Sequence, residues 1–157
     1  MLKASDILSD EIYKVNEDSS LKDVFDIFLK DKPHGIFVVD ENDRFSGVIT
    51  ESDLIEQQSS LHLPTIVNLF EGVFVFDNPF KLDRQFEKMA GTTAGDICSE
   101  EVLTVKPDET LQEIATMMTD KKIHFLPVID DEKNILGVVT KYEMITAMAK
   151  EAGYITK

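Results

Sequence analysis

The sequence of 157 residues has one cysteine, no tryptophan, and only 16 lysines and arginines against 30 aspartates and glutamates. The single cysteine, Cys98, excludes a disulfide within the chain and is typical of a protein in a reducing compartment. The net charge of −14 disfavours nonspecific binding to nucleic acid or to an anionic membrane, because both attract basic surfaces. We therefore expect a cytoplasmic protein with no nucleic-acid or membrane partner.

Long apolar runs and catalytic motifs are missing as well. No window approaches 18 apolar residues, and the N-terminus mixes charged with apolar residues, so neither a transmembrane helix nor a signal peptide is predicted. The sequence contains no HExxH pair, no GxxxxGK[ST] loop, no cysteine cluster and no nucleophile elbow. The acidic stretch DENDR also lacks the glycine and closing glutamate of a calcium loop. These absences predict neither an enzyme nor a metal site.

A repeat at an offset of ninety residues organises the chain. Residues 15–54 align with residues 105–144 without a gap, and ten of these forty positions are identical. The stretch GVITESDL at Gly47–Leu54 returns as GVVTKYEM at Gly137–Met144. The repeat predicts one unit at residues 1–60 and a second at residues 92–157, separated by an insert at residues 61–91.

Each unit has the periodicity of a strand, a helix, two strands and a helix. A short strand is predicted around IYKV or VLTV, and the first helix at SSLKDVFDIFLKD or ETLQEIATMMTDK, where apolar residues recur every three or four positions. A polar turn then joins two strands, with Gly47 and Gly137 expected before the second of them, and a last helix starts at Thr50 or Thr140. We predict an α/β (α+β) fold in which two β-α-β-β-α repeats pack with pseudo-twofold symmetry.

The insert is too apolar for a free linker. Asn78 followed by Pro79 is typical of a helix start, and Gly91 can end the helix, so an inserted helix is predicted. Its remaining apolar residues either pack within the chain or face a second subunit.

Two such units, each ending in Gly-apolar-apolar-Thr-x-x-acid, resemble the cystathionine-β-synthase (CBS) domain pair, or Bateman module, of a small stand-alone bacterial-type protein. HFLPVID and its partner HGIFVVD support the resemblance, although Phe37 stands where the family has the proline seen at Pro127. The resemblance implies a regulatory module, without a required cofactor, that binds AMP, ADP or ATP, possibly with Mg, in the cleft between the repeats. It also implies a homodimer formed through the helices and an unknown regulated protein that responds to a change in packing.

Thr50 with Asp53, and Thr140 with Glu143, have the spacing of a capping box, which alone would explain these residue types. The start of a helix also offers N–H donors and a partial positive charge to a phosphate. The resemblance implies that each threonine and acid contact the phosphate and ribose of the ligand. Because glutamate is longer than the usual aspartate, we expect Asp53 to hold a ribose better than Glu143.

Three further residues are candidates for nucleotide binding. His34 and His124 occupy equivalent positions before the second strand, where a histidine either donates to phosphate or is simply a half-exposed polar residue. Lys141 follows Thr140 and can support additional phosphates, whereas Glu51 in the first repeat would repel them. The alternative for both residues is an ordinary solvated position in the first helical turn.

Two other functions remain open from the sequence. The module could be a ligand-free dimerisation scaffold in which the threonines and acids only cap helices. It could also bind cyclic di-AMP or S-adenosylmethionine, which occupy similar pockets in related modules.

Overall fold

A computed structural model describes residues 1–61 and 91–156 of the chain. The helices are α1 (Ala4–Ile7), α2 (Leu21–Asp31), α3 (Glu51–Leu61), α4 (Ala94–Ile97), α5 (Leu111–Lys121) and α6 (Lys141–Glu151). The strands are β1 (Lys14–Asn16), β2 (Ile36–Val39), β3 (Phe45–Ile49), β4 (Phe125–Ile129) and β5 (Ile135–Thr140). The helix predicted after Asn78 falls outside the described residues. None of the described helices is both long enough and apolar enough to cross a membrane.

A side-chain hydrogen bond caps the start of the first long helix in each repeat, α2 and α5. The Ser20 hydroxyl accepts a hydrogen bond from the backbone N–H of Asp23 at α2, and Thr110 accepts one from Glu113 at α5. Both helices end at a lysine in the left-handed conformation, Lys32 with φ of 48° and Lys122 with φ of 53°. The predicted first helix of each repeat is therefore confirmed.

The strands form two small sheets. β1, β2 and β3 form one sheet in that order, and β4 pairs antiparallel with β5 in the other. The β4–β5 register opposes Val128 to Gly137 and Ile129 to Ile135, so Leu136 forms a bulge. In the second repeat the predicted VLTV strand is reduced to a single parallel bridge between Val105 and Val128.

The described residues form two compact units, which divide the chain differently from the sequence repeats. The Thr140 unit contains residues of Met1–Tyr13, Val39–Phe45 and Glu101–Lys157, and the Thr50 unit contains those of Lys14–Val38 and Ser46–Glu100. Each unit therefore includes the leading helix of the other repeat. In the Thr140 unit Ser9 pairs with Val138, and in the Thr50 unit Ser99 pairs with Val48.

Each unit has an apolar core between helix and sheet. In the Thr140 unit the core cluster is Ala4, Val105, Leu111, Ile114, Met118, Leu126, Val128, Val139, Met144 and Ala147. In the Thr50 unit the buried apolar residues are Val15, Leu21, Val24, Ile36, Phe37, Val38, Val48, Ile49, Ala94 and Ile97. The buried residues of α2 (Leu21 and Val24) and of α5 (Leu111, Ile114 and Met118) belong to the predicted apolar stripes, which therefore face the cores as expected.

Candidate functional site

Thr140 connects the last strand of its unit to the last helix. It ends β5, is only 8% exposed, and is the N-cap of α6. Its backbone N–H donates to Oε2 of Glu143 over 2.9 Å, and its hydroxyl donates to the same oxygen. The backbone N–H of Tyr142 donates to Oγ1 of Thr140 over 3.2 Å. The predicted capping box is therefore present at α6.

Thr50 has the same arrangement at the start of α3. Its backbone N–H and its hydroxyl donate to Oδ2 of Asp53 over 2.7 and 3.0 Å, and the N–H of Asp53 donates back to Oγ1 over 3.4 Å. Both side chains are half-buried. The capping box predicted here is also present.

Sequence reasoning missed a third member of the Thr50 site. The hydroxyl of Ser99 donates to Oδ1 of Asp53 over 3.0 Å, although the two residues are 46 positions apart. Ser9, ninety positions earlier, was an available signal, because Ser9 and Ser99 directly follow the similar segments Ala4–Leu8 and Ala94–Cys98. In the Thr140 unit, however, Oγ of Ser9 accepts from the backbone N–H of Glu11 over 3.2 Å.

Asp53 and Glu143 therefore differ in the hydrogen bonding of their second carboxylate oxygen. Asp53 accepts hydrogen bonds at both carboxylate oxygens, from Thr50 at one and from Ser99 at the other. Glu143 accepts from Thr140 at Oε2, and no donor within the described parts of the chain reaches its Oε1. A carboxylate has about four lone-pair positions, so both acids retain capacity for a ligand hydroxyl.

His124 and Lys141 lie on one open groove of the Thr140 unit, with a volume of about 580 Å³. The groove runs between α5 and α6 and is lined by Ala115, Met118, Thr119, Lys122, His124, Lys141, Met144, Ile145 and Met148. Its lining is mostly apolar, and its three basic side chains are exposed. Lys122 was not predicted, because it belongs to a helix end rather than to any ligand motif.

The remaining candidates are less closely grouped. Thr140 and Glu143 do not line the groove, although they begin the helix that carries Lys141. His34 is exposed in the bend before β2, and no hydrogen bond within the described residues joins it to Thr50 or Asp53. The residues that the structure describes contain no group of histidines, cysteines and acids arranged to hold a metal ion.

The glycines of the repeated stretch lie inside strands β3 and β5, so the prediction that they precede these strands was wrong. A Cβ atom on Gly47 would lie 2.7 Å from the backbone oxygen of Ser99, and one on Gly137 would lie 2.5 Å from that of Ser9. The reason is that each leading segment hydrogen-bonds directly onto the strand beside the glycine. At both glycines the absence of a side chain permits this close approach of two backbones.

Two units of helix on sheet, each with a threonine and an acid capping its last helix, define a tandem α/β module. The family model described as CBS domain matches residues 4–60 and 94–150. An uncharacterized protein of Methanocaldococcus jannaschii is 32% identical over 143 residues, covering 85% of this chain and 84% of the relative. The chain belongs to the CBS domain family.

Solved structures of CBS domain pairs share the fold. CBSX2 of Arabidopsis thaliana, in complex with AMP, matches with a TM-score of 0.72 at 20% identity, over 97% of this chain and 99% of that one. The CBS domain pair of protein MJ0100, in complex with 5′-methylthioadenosine and S-adenosyl-L-methionine, matches with a TM-score of 0.65 at 20% identity, over 96% and 98% of the two chains. The predicted fold class is confirmed, and both of these solved CBS proteins are in complex with adenosine compounds.

Proposed function

We propose that this protein is a cytoplasmic, homodimeric regulatory module that binds an adenosine-containing nucleotide at its capped helix starts and has no catalytic activity. A regulated partner protein would respond to the ligand-dependent change in packing. The observation that carries the proposal is the start of α6, where the Thr140–Glu143 pair adjoins a groove containing His124 and Lys141. AMP, ADP and ATP are the proposed ligands.

Phosphate binding is supported by the local charge. The whole chain has a net charge of −14, which repels an anion, yet Lys122, His124 and Lys141 lie on a single groove. Lys141 is also in the first turn of α6, where the partial positive charge of the helix favours a phosphate. The Thr50 unit has Glu51 at the equivalent position. We therefore propose that the Thr140 unit accepts the more highly charged nucleotides.

Ribose binding is supported by the fixed carboxylates. Asp53 is oriented through both of its oxygens, by Thr50 and by Ser99. A ligand that meets a preoriented acceptor loses less free energy to side-chain ordering. Glu143 is longer and is held through one oxygen. We therefore propose that Asp53 holds a ribose diol more tightly than Glu143 does.

Calorimetric titration with AMP, ADP, ATP and S-adenosylmethionine tests the binding site. Asp53→Ala and Glu143→Ala should each weaken ribose-bearing ligands by roughly 10- to 100-fold at their own unit, because a hydrogen bond to a charged group contributes about 1.5–3 kcal/mol. Glu113→Ala is the matched control, since Glu113 forms the same capping box with Thr110 at α5. Unchanged affinity in both site variants would place the ligand elsewhere.

A second titration tests the role of Lys141. Lys141→Ala should weaken ATP more than AMP, because the ammonium group interacts more strongly with the larger negative charge. Lys150→Ala, in the last turn of the same helix, removes an equal charge outside the groove and should change neither affinity. Equal losses for ATP and AMP with Lys141→Ala would contradict the proposed preference of the Thr140 unit.

The complete capping boxes also support a second candidate function, a dimerisation scaffold without a ligand. In that case the threonines and acids serve only to start α3 and α6. Thermal melting separates the two functions, because a ligand at about 100 times its dissociation constant stabilises the folded state by about 2.7 kcal/mol. A melting temperature unchanged by AMP, ADP, ATP, cyclic di-AMP and S-adenosylmethionine would favour the scaffold.

A further inference from the structure

The carboxylate of Asp53 has little room left for a ribose diol. Its Oδ2 accepts the backbone N–H and the hydroxyl of Thr50, over 2.7 and 3.0 Å. Its Oδ1 accepts the hydroxyl of Ser99 over 3.0 Å. Because a carboxylate offers about four lone-pair positions, three accepted hydrogen bonds leave roughly one position, on Oδ1. A vicinal diol donates two hydrogen bonds, so one of its hydroxyls needs a different acceptor.

The hydroxyl oxygen of Ser99 lies where that acceptor is needed. Its hydrogen is directed at Oδ1 of Asp53, so both lone pairs of Oγ stay available, and no donor within residues 1–61 and 91–156 reaches them. Ser99 is exposed, so a ligand can approach it. The two oxygens lie 3.0 Å apart, which is a hydrogen-bond length and also close to the separation of the two oxygens in a vicinal diol.

Two backbone hydrogen bonds fix Ser99 at this position. Its N–H donates to the carbonyl oxygen of Val48 over 3.0 Å, and its own carbonyl oxygen accepts from the N–H of Val48 over 3.2 Å. Val48 is buried in β3, the strand that leads into Thr50 and α3. Ser99 is therefore ordered beside the capped helix start, and a ligand that meets an ordered acceptor loses less free energy to side-chain ordering.

The Thr140 unit lacks this second acceptor among its described residues. Oγ of Ser9, ninety positions before Ser99, accepts the backbone N–H of Glu11 over 3.2 Å and forms no hydrogen bond with Glu143. Oε1 of Glu143 accepts from no described residue and keeps both of its lone-pair positions. A diol would therefore meet one acceptor residue in the Thr140 unit and two in the Thr50 unit.

We propose that Ser99 is a ligand-binding residue of the Thr50 unit. Oδ1 of Asp53 accepts one hydroxyl of a ribose diol, and Oγ of Ser99 accepts the other. The inference rests on the proposed function, since it assigns a second acceptor to the same adenosine site. The ligand class that fits is an adenosine compound whose two ribose hydroxyls are both free.

Deoxy ligands test the assignment one hydroxyl at a time. AMP, 2′-deoxy-AMP and 3′-deoxy-AMP are titrated calorimetrically into Glu143→Ala protein, in which the Thr50 unit keeps its ribose contacts, and into the same protein with Ser99→Ala. Ser99→Ala should weaken AMP by roughly 3- to 10-fold, because both hydroxyls must then share one oxygen of Asp53. It should weaken at least one deoxy ligand by less than about twofold, because that ligand has no hydroxyl for Ser99 to accept. Equal losses for all three ligands would overturn the proposal, since a general loss of folding stability affects every ligand alike.

Two further variants are the controls. Ser99→Thr retains a hydroxyl, so its affinity for AMP should stay within about twofold of that of the Glu143→Ala protein. Ser9→Ala, made in an Asp53→Ala background, should leave the relative affinities of the Thr140 unit for AMP and the deoxy ligands unchanged, because Ser9 does not contact Glu143.

Asp53→Ala separates a failure of this inference from a failure of the proposed function. A loss of AMP affinity in Asp53→Ala, together with equal losses of the three ligands in Ser99→Ala, would overturn only the role of Ser99. Unchanged AMP affinity in both Asp53→Ala and Glu143→Ala would overturn the proposed site itself, and the second acceptor with it.

Discussion

The two repeats start their last helix in the same way but surround that start differently. Thr50 and Thr140 each donate a backbone N–H and a hydroxyl to one oxygen of the acid three positions later. The second oxygen is bound by Ser99 at Asp53 but has no donor within the described residues at Glu143. Capping thus tolerates either acid, whereas the contacts of the second carboxylate oxygen differ between the two helix starts.

The residue that follows each threonine also differs between the two repeats. Glu51 and Lys141 are both exposed in the first turn of a helix, and neither is needed for the capping hydrogen bonds. Their charges can therefore differ between the repeats without changing the capping hydrogen bonds, although the positive end of the helix favours Glu51 over Lys141. The duplicated motif thus caps both helices in the same way, while the residue beside it gives the two helix starts opposite charges.

The largest loss of folding stability is expected at Gly47 and Gly137, where the two units are most alike. Gly137→Ala and Gly47→Ala would place a methyl group 2.5 and 2.7 Å from a backbone oxygen of the leading segment. Because a backbone cannot move aside as a flexible side chain can, we expect each change to lower the free energy of unfolding by about 1–3 kcal/mol or more. Urea denaturation measures this loss, which should be somewhat larger for Gly137.

Gly91→Ala is the control for the glycine substitutions, because no atom of the described residues lies within 4 Å of a Cβ atom there. Its free energy of unfolding should stay within about 0.5 kcal/mol of the wild type. If Gly47→Ala were as harmless as Gly91→Ala while Gly137→Ala destabilised, the two leading segments would not be held equivalently.

A smaller difference in folding stability is expected between variants of Ser99 and Ser9. Ser99→Ala removes the donor to Oδ1 of Asp53, and we expect a loss of about 1 kcal/mol in the free energy of unfolding. Ser9→Ala removes only an acceptor for the exposed N–H of Glu11, which water can replace, so a few tenths of a kcal/mol are expected. Both losses are measured by urea denaturation, and equal losses would contradict the asymmetry between the two helix starts.

Features set by neighbouring residues could be predicted from the sequence. The helix stripes containing Leu21 and Leu111 were correct, because three- and four-residue spacing fixes which side of a helix is apolar. The capping boxes at Thr50 and Thr140 were correct for the same reason, since a hydroxyl and an acid three positions apart meet at any helix start.

Features that join distant residues could not be predicted. Ser99 reaches Asp53 only because the leading segment pairs with β3, and two similar repeats give no information about which unit a leading segment joins. The αL lysine at the end of α5, Lys122, is another example, because its place on the groove depends on the packing of α5 against α6. Tertiary contacts rather than local propensity determine both.

The smallest expected effect is a pH dependence that both units should share. The backbone N–H of Thr110 lowers the pKa of Glu113 in the Thr140 unit, and the backbone N–H of Thr93 lowers the pKa of Asp96 in the Thr50 unit. A carboxyl whose pKa is lower in the folded state stabilises the protein above its unfolded pKa, about 4, and loses this contribution as the pH falls through the folded value. Urea denaturation between pH 7 and about 3 should therefore show a shallower loss for Glu113→Gln and for Asp96→Asn than for the wild type. A flattened profile for only one of them would show that the two units differ in their capping as well as in their flanking residues.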